Sequence, residues 1–197
     1  MPRRRIRRPG PDHARDHPGA ARLQEAGLVR EVGITGYPLG ALAYIAARVP
    51  VDTVMSYCQY TLQDRRLADR LEAFTAVGAA VINASPLAMG ALTDRGPRPW
   101  HPAAPQVLAR CARAARICRE HGTELAKLAL QFSVTTSPCA TTVLGSASAE
   151  NVRRNAAWID QPPDQGLLSE IDAILAPVRD RGWASGRPEN QVCGGPR

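Results

Sequence analysis

The chain has 197 residues, 44% of them apolar and 22% charged, a balance ordinary for a folded globular protein and one that excludes disorder throughout. This length allows one domain with a real core, but it falls short of the roughly 250 residues of most complete α/β barrels. The formal charge of +7 does not by itself mark a nucleic-acid binder: six arginines against two aspartates put +4 of it in residues 1–19, and Lys127 is the sole lysine of the chain.

Cys58, Cys111, Cys118, Cys139 and Cys193 are odd in number and lack the Cys-x-x-Cys or Cys/His spacing of a zinc site. Neither a disulfide framework nor a metal site is indicated, and reduced thiols in a cytoplasm are the expectation. The basic start runs into Pro9-Gly10-Pro11 instead of an apolar signal core, and no apolar run approaches the roughly 20 residues of a membrane span.

In chain order, residues 1–19 read as a basic disordered arm, because they combine Pro, Gly and like charges without an apolar period. The segment AARLQEAG then reads as the end of an amphipathic helix stopped by Gly27. Val29 to Thr35 is a short strand and Leu39 to Arg48 a helix ended by Val49-Pro50. Asp52 to Tyr60 is the next strand, with Asp64 the candidate N-cap of a helix over 65–77 that Gly78 stops. Ala79 to Asn83 is nearly continuous in small and β-branched apolar residues, which suits a strand in a parallel sheet.

A loop leads into a helix over 105–122, and a second helix starts from the N-cap candidate Thr123, with Leu125, Leu128 and Phe132 near one stripe. Ala140 to Leu144 is a fourth strand, followed by Gly145-Ser146 and a helix capped by Ser148. A last helix spans 167–178, before a Gly- and Pro-rich tail. Four strand-then-helix units in series predict parallel βα architecture, and periodicity leaves open whether the sheet is open or half of a closed barrel.

The segments VREVGITGYPL, VDTVMSYCQYTLQDRRL, GAAVINASPLAMGALTDRGPRPWHPAAPQ, ELAKLALQFSV and TVLGSASAENVRRNAAW resemble, in order and spacing, the aldo/keto reductase family, in particular its L-galactose dehydrogenase-like sugar dehydrogenase branch. The resemblance implies an α/β fold, the C-terminal half of a (βα)8 barrel with four parallel βα units corresponding to strands five to eight. It covers residues 20–190, leaving 191–197 as a tail. It further implies a cofactor, NAD or NADP, laid across the C-terminal ends of the strands, where barrels of this kind place their ligands.

Within that resemblance Thr35, Gly36 and Tyr57 fall where the family holds the nicotinamide carboxamide. Ser85, Leu87 and Met89 fall along the pyrophosphate, and Gly145, Ser146, Asn151, Arg154 and Asn155 fall around the adenosine. Ala84 stands where many relatives carry an aromatic residue that stacks on the nicotinamide. NADP-preferring relatives often place Lys or Arg in the last cluster, where this chain has Gly145, Ala147 and Asn151, so NAD is favoured, with Arg154 the counterweight.

The family's proton-transfer residues, an Asp, a Tyr, a Lys and a His at the ends of its first four strands, have no counterparts after Val29, and no catalytic residue is assigned. Lys127 reads as a solvated helix position. The chain is therefore expected to be an oxidoreductase half that binds cofactor without turning over on its own. The alternative expectation is a non-catalytic module that pairs through exposed sheet edges with itself or with a separate N-terminal half.

Overall fold

The computed structural model describes residues 18–186. The chain order is α1 Pro18–Glu25, β1 Gly33–Gly36, α2 Leu39–Ala46, β2 Thr53–Tyr57, α3 Leu71–Thr75, β3 Ala80–Ala84, α4 Pro105–Glu120, α5 Leu125–Thr135, β4 Thr141–Val143, α6 Ala149–Ile159 and α7 Gln165–Leu175. Three short 3₁₀ turns sit at Ala68–Arg70, Ala88–Gly90 and Ala176–Val178.

The four strands form one parallel sheet in the order β1-β2-β3-β4. Thr35, Met55, Ile82 and Thr141 lie side by side across it. Because every strand runs the same way, Gly36, Tyr57, Ala84 and Val143 all finish on one edge. Side chains alternate across a sheet, and the two faces differ in what they meet. Val54, Ser56, Val81 and Asn83 are 0%, 0%, 2% and 0% exposed beneath the helices, whereas Thr35, Ala80, Thr141 and Val143 on the other face are exposed.

One continuous core lies between the sheet and its helical layer. It contains Val54, Leu62, Leu67, Phe74, Leu92, Leu125, Ile171 and Leu175. The Leu125, Leu128 and Phe132 stripe of α5 is buried as its spacing predicts. The buried polar groups stitch elements together: Asn83 donates to the Tyr60 carbonyl at 3.0 Å, Ser133 donates to the same carbonyl at 3.2 Å, and Tyr60 donates to the Thr136 carbonyl at 2.7 Å. These bonds tie the β2–α3 connection to β3 and α5 in a region where an unpaired carbonyl would be costly.

Several elements depart from the sequence reading, each for a tertiary reason. The predicted strand Val29 to Thr35 shortens to Gly33–Gly36, because its ladder partner β2 begins only at Thr53. Just before it, the Asp52 carboxylate accepts the Val32 N–H at 2.8 Å. The strand from Asp52 stops at Tyr57 and not Tyr60, since Cys58 turns left-handed at φ 61°.

Asp64 does not cap a helix. Its buried carboxylate accepts from the backbone N–H and the guanidinium of Arg66, and the helical segment that follows contracts to a 3₁₀ turn and the five residues of α3. Thr123 also fails as an N-cap: its N–H closes the turn after α4 by donating to the Cys118 carbonyl at 3.0 Å, and Glu124 takes the cap position with no side-chain bond. At the front, α1 takes in Pro18 and Gly19, which the sequence reading gave to the basic arm. The rest of that arm and the tail 191–197 lie outside the described residues.

Among the described residues no helix is long and apolar enough to cross a membrane, and no three His, Cys, Asp or Glu side chains gather as a metal site.

Candidate functional site

Two clefts open along the edge where the strands end. The smaller, about 280 Å³, lies at the ends of β1 and β2 and is lined by Thr35, Gly36, Tyr37 and Tyr57, with Ile45 of α2 and Ser185 of the C-terminal segment. The larger, about 410 Å³, lies beyond β4 at the start of α6 and is lined by Leu87, Gly145, Ser146, Asn151, Arg154 and Asn155. Arg95, Asp94, Glu124 and Trp158 share its wall. Of the sequence-assigned site residues, Thr35, Gly36 and Tyr57 therefore come together in one cleft, and Leu87 with the five from Gly145 to Asn155 in the other.

Ser85 and Met89 line neither cleft and lie on the turn between them. That turn is conformationally costly. Ser85, Ala88 and Met89 have φ of 56°, 47° and 50°, and neighbouring Cys58 has 61°, a region in which side chains with a Cβ lose roughly 1–2 kcal/mol each. The cost is carried by local pairing: Ser85 N–H donates to the Val143 carbonyl at 3.0 Å, Cys58 N–H to the Ala84 carbonyl at 2.8 Å, and Ala88 N–H to the Ser85 carbonyl at 2.9 Å. Strain concentrated at the ends of β2 and β3, between two clefts, is the pattern expected where backbone is shaped for a ligand.

In the larger cleft, Ser148 caps α6 by accepting the Asn151 N–H at 3.2 Å, which holds the first turn in place. The N–H groups of Gly145, Ser146 and Ala147 donate to no acceptor among the described residues, so this helix start presents open donors at its positive end. Arg154 is already engaged: it reaches Glu124 at 3.4 Å and the Asn151 side-chain oxygen at 3.0 Å, and its guanidinium lies 4.9 Å from the Trp158 ring centre. Asp94 pairs with Arg119 at 3.3 Å. Both cleft carboxylates, Asp94 and Glu124, are thus engaged by Arg119 and Arg154, while the Arg95 guanidinium lines the same cleft.

The smaller cleft is backed by an aromatic wall. Tyr37 is 2% exposed, stacks on Trp183 at 4.7 Å and sits 5.4 Å from the Tyr57 ring. Burial pushes the Tyr37 hydroxyl up to about 12, against the opposing pull of its Trp183 N–H and Arg66 partners. Tyr57 bonds Ser185 at 3.4 Å and Tyr60 bonds Thr136, so none of these three hydroxyls has a Lys or His partner.

His101 is buried and structural. The Ala103 N–H donates to Nδ1 at 3.2 Å, which leaves the ring proton on Nε2 to bond the Ala88 carbonyl at 3.0 Å. Lys127 donates to Gln161 on the helical layer, away from both clefts. Sequence reasoning missed Tyr37, Arg95, Glu124 and Trp158. Tyr37 directly follows the assigned Thr35-Gly36 pair and was within reach of the sequence, whereas Arg95 and Glu124 enter through a loop and a helix start that no local pattern connects to β4.

A parallel βα sheet whose clefts sit at the C-terminal strand ends defines the class, and the chain belongs to the aldo/keto reductase family of oxidoreductases, whose sequence profile matches residues 20–176. It lies close to the L-galactose dehydrogenase-like branch. It is 39% identical over 180 residues to L-galactose dehydrogenase of Arabidopsis thaliana, a match covering 88% of this chain and 56% of that protein. It is 30% identical over 122 residues to D-arabinose 1-dehydrogenase of Saccharomyces cerevisiae, covering 57% of this chain and 36% of that one. An aldo-keto reductase from Bacillus halodurans, solved in apo and holo forms, shares the fold with a TM-score of 0.55 at 21% identity, over 87% of this chain and 57% of the apo chain. The chain spans about half the length of these relatives.

Proposed function

We infer that this chain forms the strand-five-to-eight half of an aldo/keto reductase barrel and holds a nicotinamide dinucleotide along the C-terminal edge of its sheet. The observation that carries the reading is the gathering of residues from successive strand ends into two clefts on one edge, Thr35, Gly36 and Tyr57 in one and Leu87, Gly145, Ser146 and Asn151 in the other. The donor set fits such a ligand. Open N–H groups at the start of α6 suit the anionic and ribose-bearing end, and the Thr35 hydroxyl, which both donates and accepts, suits a carboxamide. The bound dinucleotide would supply hydride chemistry.

What the chain's own residues do is bind and orient. Ser148 holds the α6 start, the strained Ser85 turn bridges the clefts, and Tyr37 walls the amide end. A proton donor for a carbonyl substrate needs a hydroxyl tuned by a basic neighbour; Tyr37, Tyr57 and Tyr60 lack a Lys or His partner. The chain on its own therefore binds without turning over, and its lineage is that of sugar or aldehyde dehydrogenases and reductases. NAD is favoured over NADP, because Gly145, Ala147 and Asn151 stand where NADP-preferring relatives often carry Lys or Arg, and Arg154 is already paired with Glu124; Arg95 in the same cleft is the counterweight.

The test is a fluorescence titration of the purified chain with NADH and NADPH, alongside Gly145→Asp, which sets a carboxylate among the open N–H groups. NADH binding is expected in the range of roughly 10 µM to 1 mM, with NADPH about tenfold weaker and Gly145→Asp at least about tenfold weaker for both. Absence of NADH binding at millimolar concentration would sink the cofactor reading, and NADPH binding as tightly as NADH would sink the preference.

A further inference from the structure

We propose that Glu124 sets the cofactor preference of the larger cleft: its carboxylate engages Arg154 and places a negative charge in the wall against a 2′-phosphate. The inference rests on the reading that the adenosine end of a nicotinamide dinucleotide lies in this cleft, and it names the side chain that decides between the two dinucleotides there.

The geometry around Glu124 singles it out. It occupies the N-cap position of α5, where a side-chain oxygen commonly accepts a backbone N–H, yet it makes no such bond. Its Oε1 instead meets Arg154 Nη1 at 3.4 Å, and its Oε2 has no hydrogen-bond partner among the described residues. The two side chains are 43% and 44% exposed, so the contact adds little to the stability of the fold. Arg154 is held from three sides, by Glu124, by the Asn151 side-chain oxygen at 3.0 Å and by the Trp158 ring, whose centre is 4.9 Å away. Of these three only Glu124 offsets the guanidinium charge. Asp94, the other carboxylate in the wall, pairs instead with Arg119, which does not line the cleft.

NAD and NADP differ by one 2′-phosphate, a group with about two negative charges near neutral pH. The cleft, about 410 Å³, has a mean width comparable to the roughly 8 Å over which physiological salt screens a charge. A carboxylate in its wall therefore repels a phosphate held there, whereas it can accept a hydrogen bond from the hydroxyl that NAD carries at the same place. The open N–H groups at the start of α6 attract anions in general and do not make this distinction. Loss of the Glu124 charge removes the repulsion and frees Arg154 for a charge-assisted contact with phosphate. Arg95 contributes its cation to the cleft whether or not Glu124 is charged, so a change at Glu124 is read against a constant background.

The experiment is calorimetric titration of the full chain, Glu124→Gln and Glu72→Gln with NADH, NADPH, 5′-AMP and adenosine 2′,5′-bisphosphate. Glu124→Gln keeps the size of the side chain and removes its charge; Glu72 is exposed on α3 and lines neither cleft. In Glu124→Gln, NADPH and the bisphosphate are expected to bind roughly 10-fold tighter, with NADH and 5′-AMP changed less than about threefold. The gain should shrink to about twofold when NaCl is raised from about 0.05 M to about 0.5 M, and Glu72→Gln should show none. Damage to the start of α5 would instead move both members of each pair alike. Probes that bind with an unchanged preference in Glu124→Gln, or with the same shift in Glu72→Gln, overturn the inference and leave the cofactor reading standing. Mononucleotides that show the shift while NADH does not bind uphold Glu124 and overturn the dinucleotide reading, and absence of binding by all four probes overturns both.

Discussion

Cys58, Cys111 and Cys118 show what burial does to a single residue. They are 1%, 1% and 0% exposed, and desolvation pushes their thiols up to about 12, 12 and 11 from an ordinary value of 9.0. The folded chain therefore keeps these protons to higher pH than the unfolded chain does. The stability they contribute is intact below about pH 8 and is lost as pH rises past 9. At pH 10 each such thiol favours unfolding by roughly 1 kcal/mol, and Tyr37, raised to about 12 from 10.0, adds to the loss above pH 10. Urea unfolding at pH 7.5 and pH 10 checks this, and a midpoint that does not fall at the higher pH contradicts it. In a Cys193→Ser background, Ellman's reagent should leave these three thiols untouched until denaturant is added. Odd number and spacing gave no sign of a disulfide framework or metal site, but that burial silences three of the four described thiols was not legible, because burial is a property of the packed core.

At the scale of elements, the same kind of local signal succeeded in one place and failed in two. Ser148 was readable as the α6 cap and is one, accepting Asn151 N–H at 3.2 Å. Asp64 and Thr123 look equally suited to capping, yet Arg66 captures the first and the turn after α4 the second. A cap signal holds only where no closer tertiary partner competes for the same oxygen or N–H. Ser148→Ala should cost about 1 kcal/mol in urea unfolding. Because α6 also carries Asn151, Arg154 and Asn155 to the larger cleft, the same variant should weaken NADH binding roughly 2–5-fold at 25 °C. Loss of stability with unchanged NADH affinity would separate α6 from the cofactor reading. Strand ends were less legible than helix identities, since β1 and β2 begin and stop where a neighbour or a left-handed residue dictates.

Across the whole molecule, the C-terminal segment is clamped to a loop far from it in sequence. Gln63, 3% exposed, donates to the Val178 carbonyl at 2.7 Å and the Arg181 carbonyl at 3.2 Å, and Arg65 N–H donates to Asp180 at 2.7 Å. This clamp delivers Trp183 to Tyr37 and Ser185 to Tyr57, so it completes the smaller cleft from the opposite end of the chain. Gln63→Ala removes both donations, leaving the Val178 carbonyl only the Arg181 N–H at 3.3 Å and the Arg181 carbonyl without a partner among the described residues, at a cost of about 1 kcal/mol. Limited trypsin digestion should then cut after Arg179 and Arg181 several-fold faster than in the unaltered chain; equal rates would show that the clamp does not hold the segment.

The order of βα units, the helix stops at Gly27 and Gly122 with φ of 71° and 70°, and nine of the candidate cleft residues follow from local residue pattern and family resemblance. They do so because backbone geometry and strand-end position are set within a few residues. The entry of Tyr37, Arg95, Glu124 and Trp158 into the clefts was decided by the fold. That entry depends on which segments meet across long sequence separations, and no local period encodes such a meeting.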